Sequence, residues 1–245
     1  MSLAGFEFEE KETSLIAYIG EDQFEQDYLD DIIKNIPYSI TELPDKNWNE
    51  EWESNFSPVV VENFCAIRAG FHQPIKSVEH EIVITPKMSF GTGHHATTFM
   101  MMLQMQRVDF KKKRVLDFGT GTGVLAILAL KCGAASVVAI DNDDWSIRNA
   151  RENFERNNCP AITLMKADSA GTDGQFDIIL ANITRNVILD NSPNFLTRLV
   201  KGGTLLLSGI LPEDETDISA KASEYHLTAG TKTEKNNWIC LKYSS

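Results

Sequence analysis

The stretch that most constrains this chain is Arg114–Gly123, RVLDFGTGTG. Val115 and Leu116 lead to an acid, Asp117, and the chain then breaks into three alternate glycines, Gly119, Gly121 and Gly123, before the apolar pattern VLAILALKCG begins. An apolar run, a glycine turn and an apolar helical pattern in this order predict strand, tight loop, helix. Gly119 and Gly121 permit a sharp turn and let a ligand approach the backbone, because a side chain there would fill the space. The loop reads as the seat of a small molecule.

The spacing narrows the ligand. A dinucleotide fingerprint is G-x-G-x-x-G, with a last glycine that lets helix pack on strand while a pyrophosphate caps the helix. Here the spacing is G-x-G-x-G, and Val124 stands where that last glycine would be. A carboxylate at the mouth of the loop, Asp117, would repel a pyrophosphate but suits the ammonium of a bound amino acid. The pattern favours S-adenosylmethionine over a nicotinamide dinucleotide. A second acid, Asp141, closes the strand-like run SVVAID about twenty residues on, where a carboxylate can accept both ribose hydroxyls. Asn142, Asp143 and Asp144 can all cap the next helix, so capping does not by itself account for Asp141.

The chain has 245 residues, 42% of them hydrophobic, enough for one large domain and a smaller one. No run is long and apolar enough for a membrane helix, and the N-terminus lacks the basic start and apolar core of a secretion signal, so a cytoplasmic chain is expected. Cys65, Cys132, Cys159 and Cys240 are far apart and form no C-x-x-C pair, which argues for reduced, mostly buried thiols. A formal charge of -12 speaks against direct nucleic-acid binding and for a basic partner.

Taken in order, residues 1–45 read as a small α+β domain: FEFEEK and SLIAYIG as strands, then a helix whose Phe24, Tyr28, Leu29, Ile32 and Ile33 would pack on them. Residues 46–58 read as a linker helix with Trp48, Trp52 and Phe56 on one face. Residues 59–245 form the main domain. VVVENFCAIRA and EIVIT read as a small strand layer leading to PKMSFGTGHHATT, where Gly91 and Gly93 again allow close backbone approach. Adjacent His94 and His95 seldom reach one ion, so no metal is assigned. Beyond the loop, helix 145–157, strands ITLMKAD and FDIILAN, helix 187–199 and strand TLLLSG alternate, which implies a doubly wound, mostly parallel α/β sheet. Asp117, Asp141, Asp168 and Asn182 fall at strand carboxyl ends and converge on one cleft. LTAGTKT and WICLKY flank 234–237 as a hairpin, so one strand runs antiparallel at the close of the sheet.

FGTGHHATT, LDFGTGTGVLAILA, AIDND, LANI and LSGIL, in that order, make the sequence resemble the ribosomal protein L11 methyltransferase family from the Trp48 linker to the C-terminus. The resemblance implies a seven-stranded class I methyltransferase sheet, S-adenosylmethionine as cofactor, and methylation of lysine and N-terminal amines on L11, a basic ribosomal protein. It also implies a separate N-terminal recognition domain. On matching positions, Thr98, Gly119, Asp141 and Asn182 are implied as cofactor contacts, with Phe90 and His95 lining the site. Ala96 departs from the proline many members carry after the histidine, which should loosen that turn. The recognition domain usually opens with a further strand and helix, whereas this chain starts near the second strand, and Met1-Ser2-Leu3 resembles an expression leader. That domain is therefore expected to be incomplete.

The site residues expected from the sequence are Asn182 and His95 for catalysis, and Phe90, Thr98, Asp117, Gly119, Gly121, Asp141, Asp168 and Asn182 for the cofactor. Asn182 precedes Ile183, Thr184 and Arg185, not the Pro-Pro-aromatic that builds a flat slot for planar amides and bases. An open slot suits a flexible aliphatic amine.

Overall fold

A computed structural model describes residues 7–11, 14–19, 24–33, 36–41, 56–85, 93–171 and 174–245. The chain divides into two compact units, Met1–Trp48 and Asn49–Ser245. In the first, β1 (Glu7–Lys11) and β2 (Ser14–Tyr18) pair antiparallel, followed by α1 (Gln26–Ile33). Tyr28 is 53% exposed, so the expected packing face of α1 is narrower than its spacing suggested. Trp48 and Trp52 of the expected linker helix lie outside the described residues.

The second unit opens with a three-stranded sheet of β3 (Val59–Val61), β4 (Cys65–Ala69) and β5 (His80–Ile84). Glu62, at φ 49°, turns the chain between β3 and β4, so VVVENFCAIRA is two strands. Then come α2 (Ala96–Met105), β6 (Arg114–Phe118), α3 (Val124–Lys131), β7 (Ser136–Asp141), α4 (Asp144–Arg156) and β8 (Ile162–Lys166). The chain closes with β9 (Phe176–Asn182), α5 (Arg185–Arg198), β10 (Leu199–Ile210), α6 (Glu215–Glu224), β11 (Thr228–Lys235) and β12 (Trp238–Ser244).

The main sheet has seven strands in the order β11-β12-β10-β9-β6-β7-β8. All pairings are parallel except those of β12 with β10 and β11. Asn236 and Asn237, at φ 51° and 60°, form the two-residue turn that joins the last hairpin, because both positions need the left-handed region that asparagine tolerates.

Alternation along the strands builds two cores. Val115, Ile178 and Leu180 face a layer containing the α2 methionines, α3 and the small sheet, whereas Leu116, Ile179 and Ala181 face Ile188, Phe195 and Ile218 of α5 and α6. Residues of α3 from Val124 to Ala129 are all buried, which explains why its sequence is apolar all round. Sheet order reverses at β6: β7 and β8 lie on one side, β9 and β10 on the other. In such sheets the crevice at the reversal point, at the strand carboxyl ends, is where ligands bind.

Candidate active site

β6 ends at the reversal point, and the loop after it turns through Gly119, Gly121 and Gly123 at φ 73°, 54° and 81°. All three occupy backbone space that side chains rarely enter. The room they leave is partly taken by the protein itself. A Cβ on Gly119 would come within 2.3 Å of the Ile183 Cγ2, and one on Gly123 within 2.4 Å of the Phe154 ring. Close approach at Gly119 thus serves the β9 end as well as any ligand.

The loop's own amides are occupied. Gly119 and Thr120 both donate to the carbonyl of Ile140 at 2.9 Å, and Gly123 donates to that of Thr120 at 2.8 Å. Gly121 donates to Asp141 Oδ2 at 2.8 Å. Cradling a pyrophosphate takes free backbone N–H groups, and these four are already engaged.

Asp117 lies beneath the loop and not at its open mouth. It sits inside a strand covered on both faces, and is 1% exposed. Its Oδ2 accepts from the Thr120 hydroxyl at 2.6 Å and from the Ala126 amide in the first turn of α3 at 3.1 Å. Its Oδ1 is buried without a hydrogen-bond partner among the described residues. Burial pushes this carboxyl up to about 7, against the lowering by its two donors, and the neighbouring Asp141 charge adds to the rise.

Asp141 ends β7. Oδ1 accepts from the Asp143 amide at 3.1 Å, so each oxygen holds one backbone donor. A carboxylate has about four acceptor positions, which leaves capacity for two hydroxyls. Asp143 caps α4 by accepting from Ser146 at 2.8 Å, which frees Asp141 from that duty as its neighbours' capping chemistry suggested. Asp168 lies exposed two residues beyond β8, and Ala167 donates to the Asp141 carbonyl at 3.0 Å, tying that turn to β7.

The segment before the loop enters from the other side. His95 caps α2, its Nδ1 2.8 Å from the Thr97 hydroxyl, and its ring lies edge-on to Trp238 at 5.0 Å. Thr98, 1% exposed, accepts from the Asn182 amide at 3.2 Å, so α2 and the end of β9 meet directly. The other polar atom of that amide, Oδ1, is buried and has no hydrogen-bond partner among the described residues. Phe90 lies outside the described residues. The geometry brings Thr98 to Asn182 and Gly121 to Asp141, and sets Asp117 and Gly119 between them on β6 and its loop.

Sequence reasoning missed an asparagine row along α4 and its C-cap. Asn153, fully buried, donates to the Thr122 carbonyl at 2.8 Å and accepts from the Thr85 amide at 2.8 Å. Asn157 accepts from the Val83 amide at 3.0 Å and donates to the Val83 carbonyl at 2.6 Å. These side chains satisfy the edge of β5 and bind the strand that leads into FGTG to the glycine loop. The signal was present: Asn149, Asn153 and Asn157 recur every fourth residue, one face of a helix.

Residues 3–245 match the family model described as ribosomal protein L11 methyltransferase (PrmA). A protein named ribosomal protein L11 methyltransferase from Porphyromonas gingivalis is 43% identical over 251 residues, covering 98% of this chain and 87% of its own length. One of the same name from Bacteroides fragilis is 38% identical, covering 98% and 90%. A crystal structure of a ribosomal protein L11 methylase from Lactobacillus delbrueckii subsp. bulgaricus superposes with a TM-score of 0.72 at 34% identity, over 77% of this chain and 98% of that one. A precorrin-6y C5,15-methyltransferase from Geobacter metallireducens, 12% identical with a TM-score of 0.54 over 62% of this chain and 89% of its own, shares the fold.

Proposed function

The chain belongs to the ribosomal protein L11 methyltransferase family, and from that premise we propose that it transfers methyl groups from S-adenosylmethionine to lysine and N-terminal amines of ribosomal protein L11, with the cleft where β6 meets β9 as its active site. The observation that carries this reading is the Thr98–Asn182 pair, which leaves one buried amide atom of Asn182 without a partner among the described residues at the carboxyl end of β9. An unsatisfied buried polar group is costly unless a ligand completes it.

The residues fit this cofactor better than a dinucleotide. The loop amides are engaged within the protein and a carboxyl lies under them, which disfavours phosphate and suits an amino-acid ammonium. In this reading Asp117 Oδ1 serves the ammonium, Asp141 the ribose hydroxyls, and Gly119 and Gly121 the approach of the backbone. Thr98 steadies Asn182, Asp168 is given the remainder of the seat, and Phe90 joins it on its place in the sequence alone. When bound, the cofactor supplies an electrophilic methyl on a sulfonium.

The protein's task is to hold a neutral amine in line with that methyl, and most of the barrier reduction can come from such orientation. Asn182 accepts a hydrogen bond from the incoming amine and so fixes where its lone pair points. A lysine amine is normally protonated at neutral pH, with a pKa of about 10.4, so it must lose a proton on entering the site. Desolvation in the cleft favours that loss. The proton leaves to His95 at the start of α2 or through water to solvent. The first unit, Met1–Trp48, is assigned the recognition of L11, and the chain's charge of -12 complements a basic partner.

The reading is tested by melting the protein with S-adenosylmethionine or NAD and then following label from the cofactor's methyl into L11. A rise in Tm with S-adenosylmethionine alone, followed by labelled L11, supports it. Stabilisation by NAD, or a labelled cofactor that leaves L11 unlabelled, refutes it.

A further inference from the structure

Two glycines from distant parts of the chain close on one residue. Ile183, directly after Asn182, has its side chain against Gly119, where a Cβ would meet Ile183 Cγ2 at 2.3 Å. Its backbone lies against Gly209, where a Cβ would meet the Ile183 oxygen, carbonyl carbon and nitrogen at 2.4, 2.8 and 2.9 Å. Gly209, at φ 85°, is the extra residue of a β-bulge: Ser208 pairs with Cys240 and Ile210 with Ile239, which leaves Gly209 unmatched. A bulge of this kind needs a glycine in the left-handed region. The Ile183 amide donates to the Ser208 carbonyl at 3.0 Å, so the bulge and the β9 end are locked together. Ile183 is β-branched, which restricts χ1 and so limits how its methyl can turn away from Gly119.

We propose that Gly119 and Gly209 form a clamp on Ile183 that fixes the Asn182 amide for the acceptor amine, which makes Gly209 a positioning residue of the reaction although it carries no side chain. The inference rests on the role given to Asn182 above. A further consequence is that LANI and LSGIL are one device: the glycine of the second makes room for the isoleucine of the first. Because the two contacts differ in kind, they respond differently to change. The Gly119 contact is with a side chain and is relieved by shortening Ile183. The Gly209 contact is with backbone and is not.

The test compares Gly209→Ala, Gly119→Ala, and each combined with Ile183→Ala, by kcat at saturating S-adenosylmethionine with L11 as substrate, and by cofactor Kd from calorimetry. Misplacement of a reacting group by about 1 Å costs up to about a hundredfold. Gly209→Ala is expected to lower kcat at least tenfold while cofactor Kd stays within about threefold, and Ile183→Ala should not restore it. Ile183→Ala should relieve the 2.3 Å contact of Gly119→Ala but neither its strain at φ 73° nor the lost grip on Ile183, so kcat should stay below the parent's. Should Gly209→Ala fail to fold, Ile183→Ala alone decides: a kcat lowered at least tenfold with cofactor Kd within about threefold supports the clamp, and a kcat within twofold of the parent overturns it. A Gly209→Ala enzyme with kcat within twofold of the parent also overturns it. Asn182→Ala run alongside separates the two ideas, since an unchanged kcat there removes the role of Asn182, whereas a lowered kcat beside an unaffected Gly209→Ala removes only the clamp.

Discussion

Replacing Asp117 by asparagine keeps the shape of the side chain and an oxygen for Thr120 and Ala126, but removes its titration. The carboxyl moves from an ordinary value of 3.8 to about 7 in the fold, mainly through burial. Each pKa unit corresponds to about 1.4 kcal/mol, so the buried acid lowers stability by at most about 4 kcal/mol once it is ionised. The sign follows from proton counting. Between pH 3.8 and about 7 the folded protein holds a proton that the unfolded chain has released, so this group's contribution is fully present below 3.8 and is lost as pH rises through about 7. Urea melts of the cofactor-free protein at pH 5 and pH 7 should therefore show the parent losing about 2–3 kcal/mol relative to Asp117→Asn. Cofactor binding should show the opposite slope. An ammonium prefers the ionised acid, so affinity in the parent should fall by up to about tenfold per unit as pH drops below 7, with Asp117→Asn nearly flat. A parent and variant whose stabilities track each other within about 0.5 kcal/mol over that range would refute the account of Asp117.

Asp141→Ala should weaken S-adenosylmethionine at least tenfold by calorimetry, since hydrogen bonds to a charged group are worth about 1.5–3 kcal/mol each. Because Asp141 also holds the amides of Gly121 and Asp143, Asp141→Asn should lose less, and unchanged binding in both would remove the residue from the site. Asn182→Ala should lower kcat more than it weakens cofactor binding; equal losses would assign Asn182 to the cofactor alone. A fragment starting near Pro58 should bind S-adenosylmethionine as the whole chain does but methylate L11 poorly, because docking far from the reacting atoms contributes to turnover. Salt should narrow that difference, and equal rates at low salt would deny the first unit a recognition role.

Strand, loop and helix around RVLDFGTGTG were legible because the apolar period changes at the glycines, and FDIILAN emerged as β9 to the residue. The closing hairpin was legible from its polar break. Contacts that join distant segments were not. That Gly119 makes room for Ile183, and Gly209 for the Ile183 backbone, depends on which strands are neighbours, and sequence spacing alone does not give that order. Asp117 was expected at an open mouth because its position in β6 was legible but the layers covering both faces were not; burial changes both its surroundings and its titration. Tyr28 illustrates the same limit in reverse, an apolar residue at core spacing that stands more than half exposed.

The most direct measurement is mass spectrometry of ribosomal protein L11 after incubation with the full chain and S-adenosylmethionine carrying a labelled methyl. The account predicts labelled methyl groups on lysine or N-terminal amines of L11, lost with Asn182→Ala and sharply reduced with Asp141→Ala at limiting cofactor. Firm cofactor binding by calorimetry, with L11 recovered unlabelled under the same conditions, would contradict it.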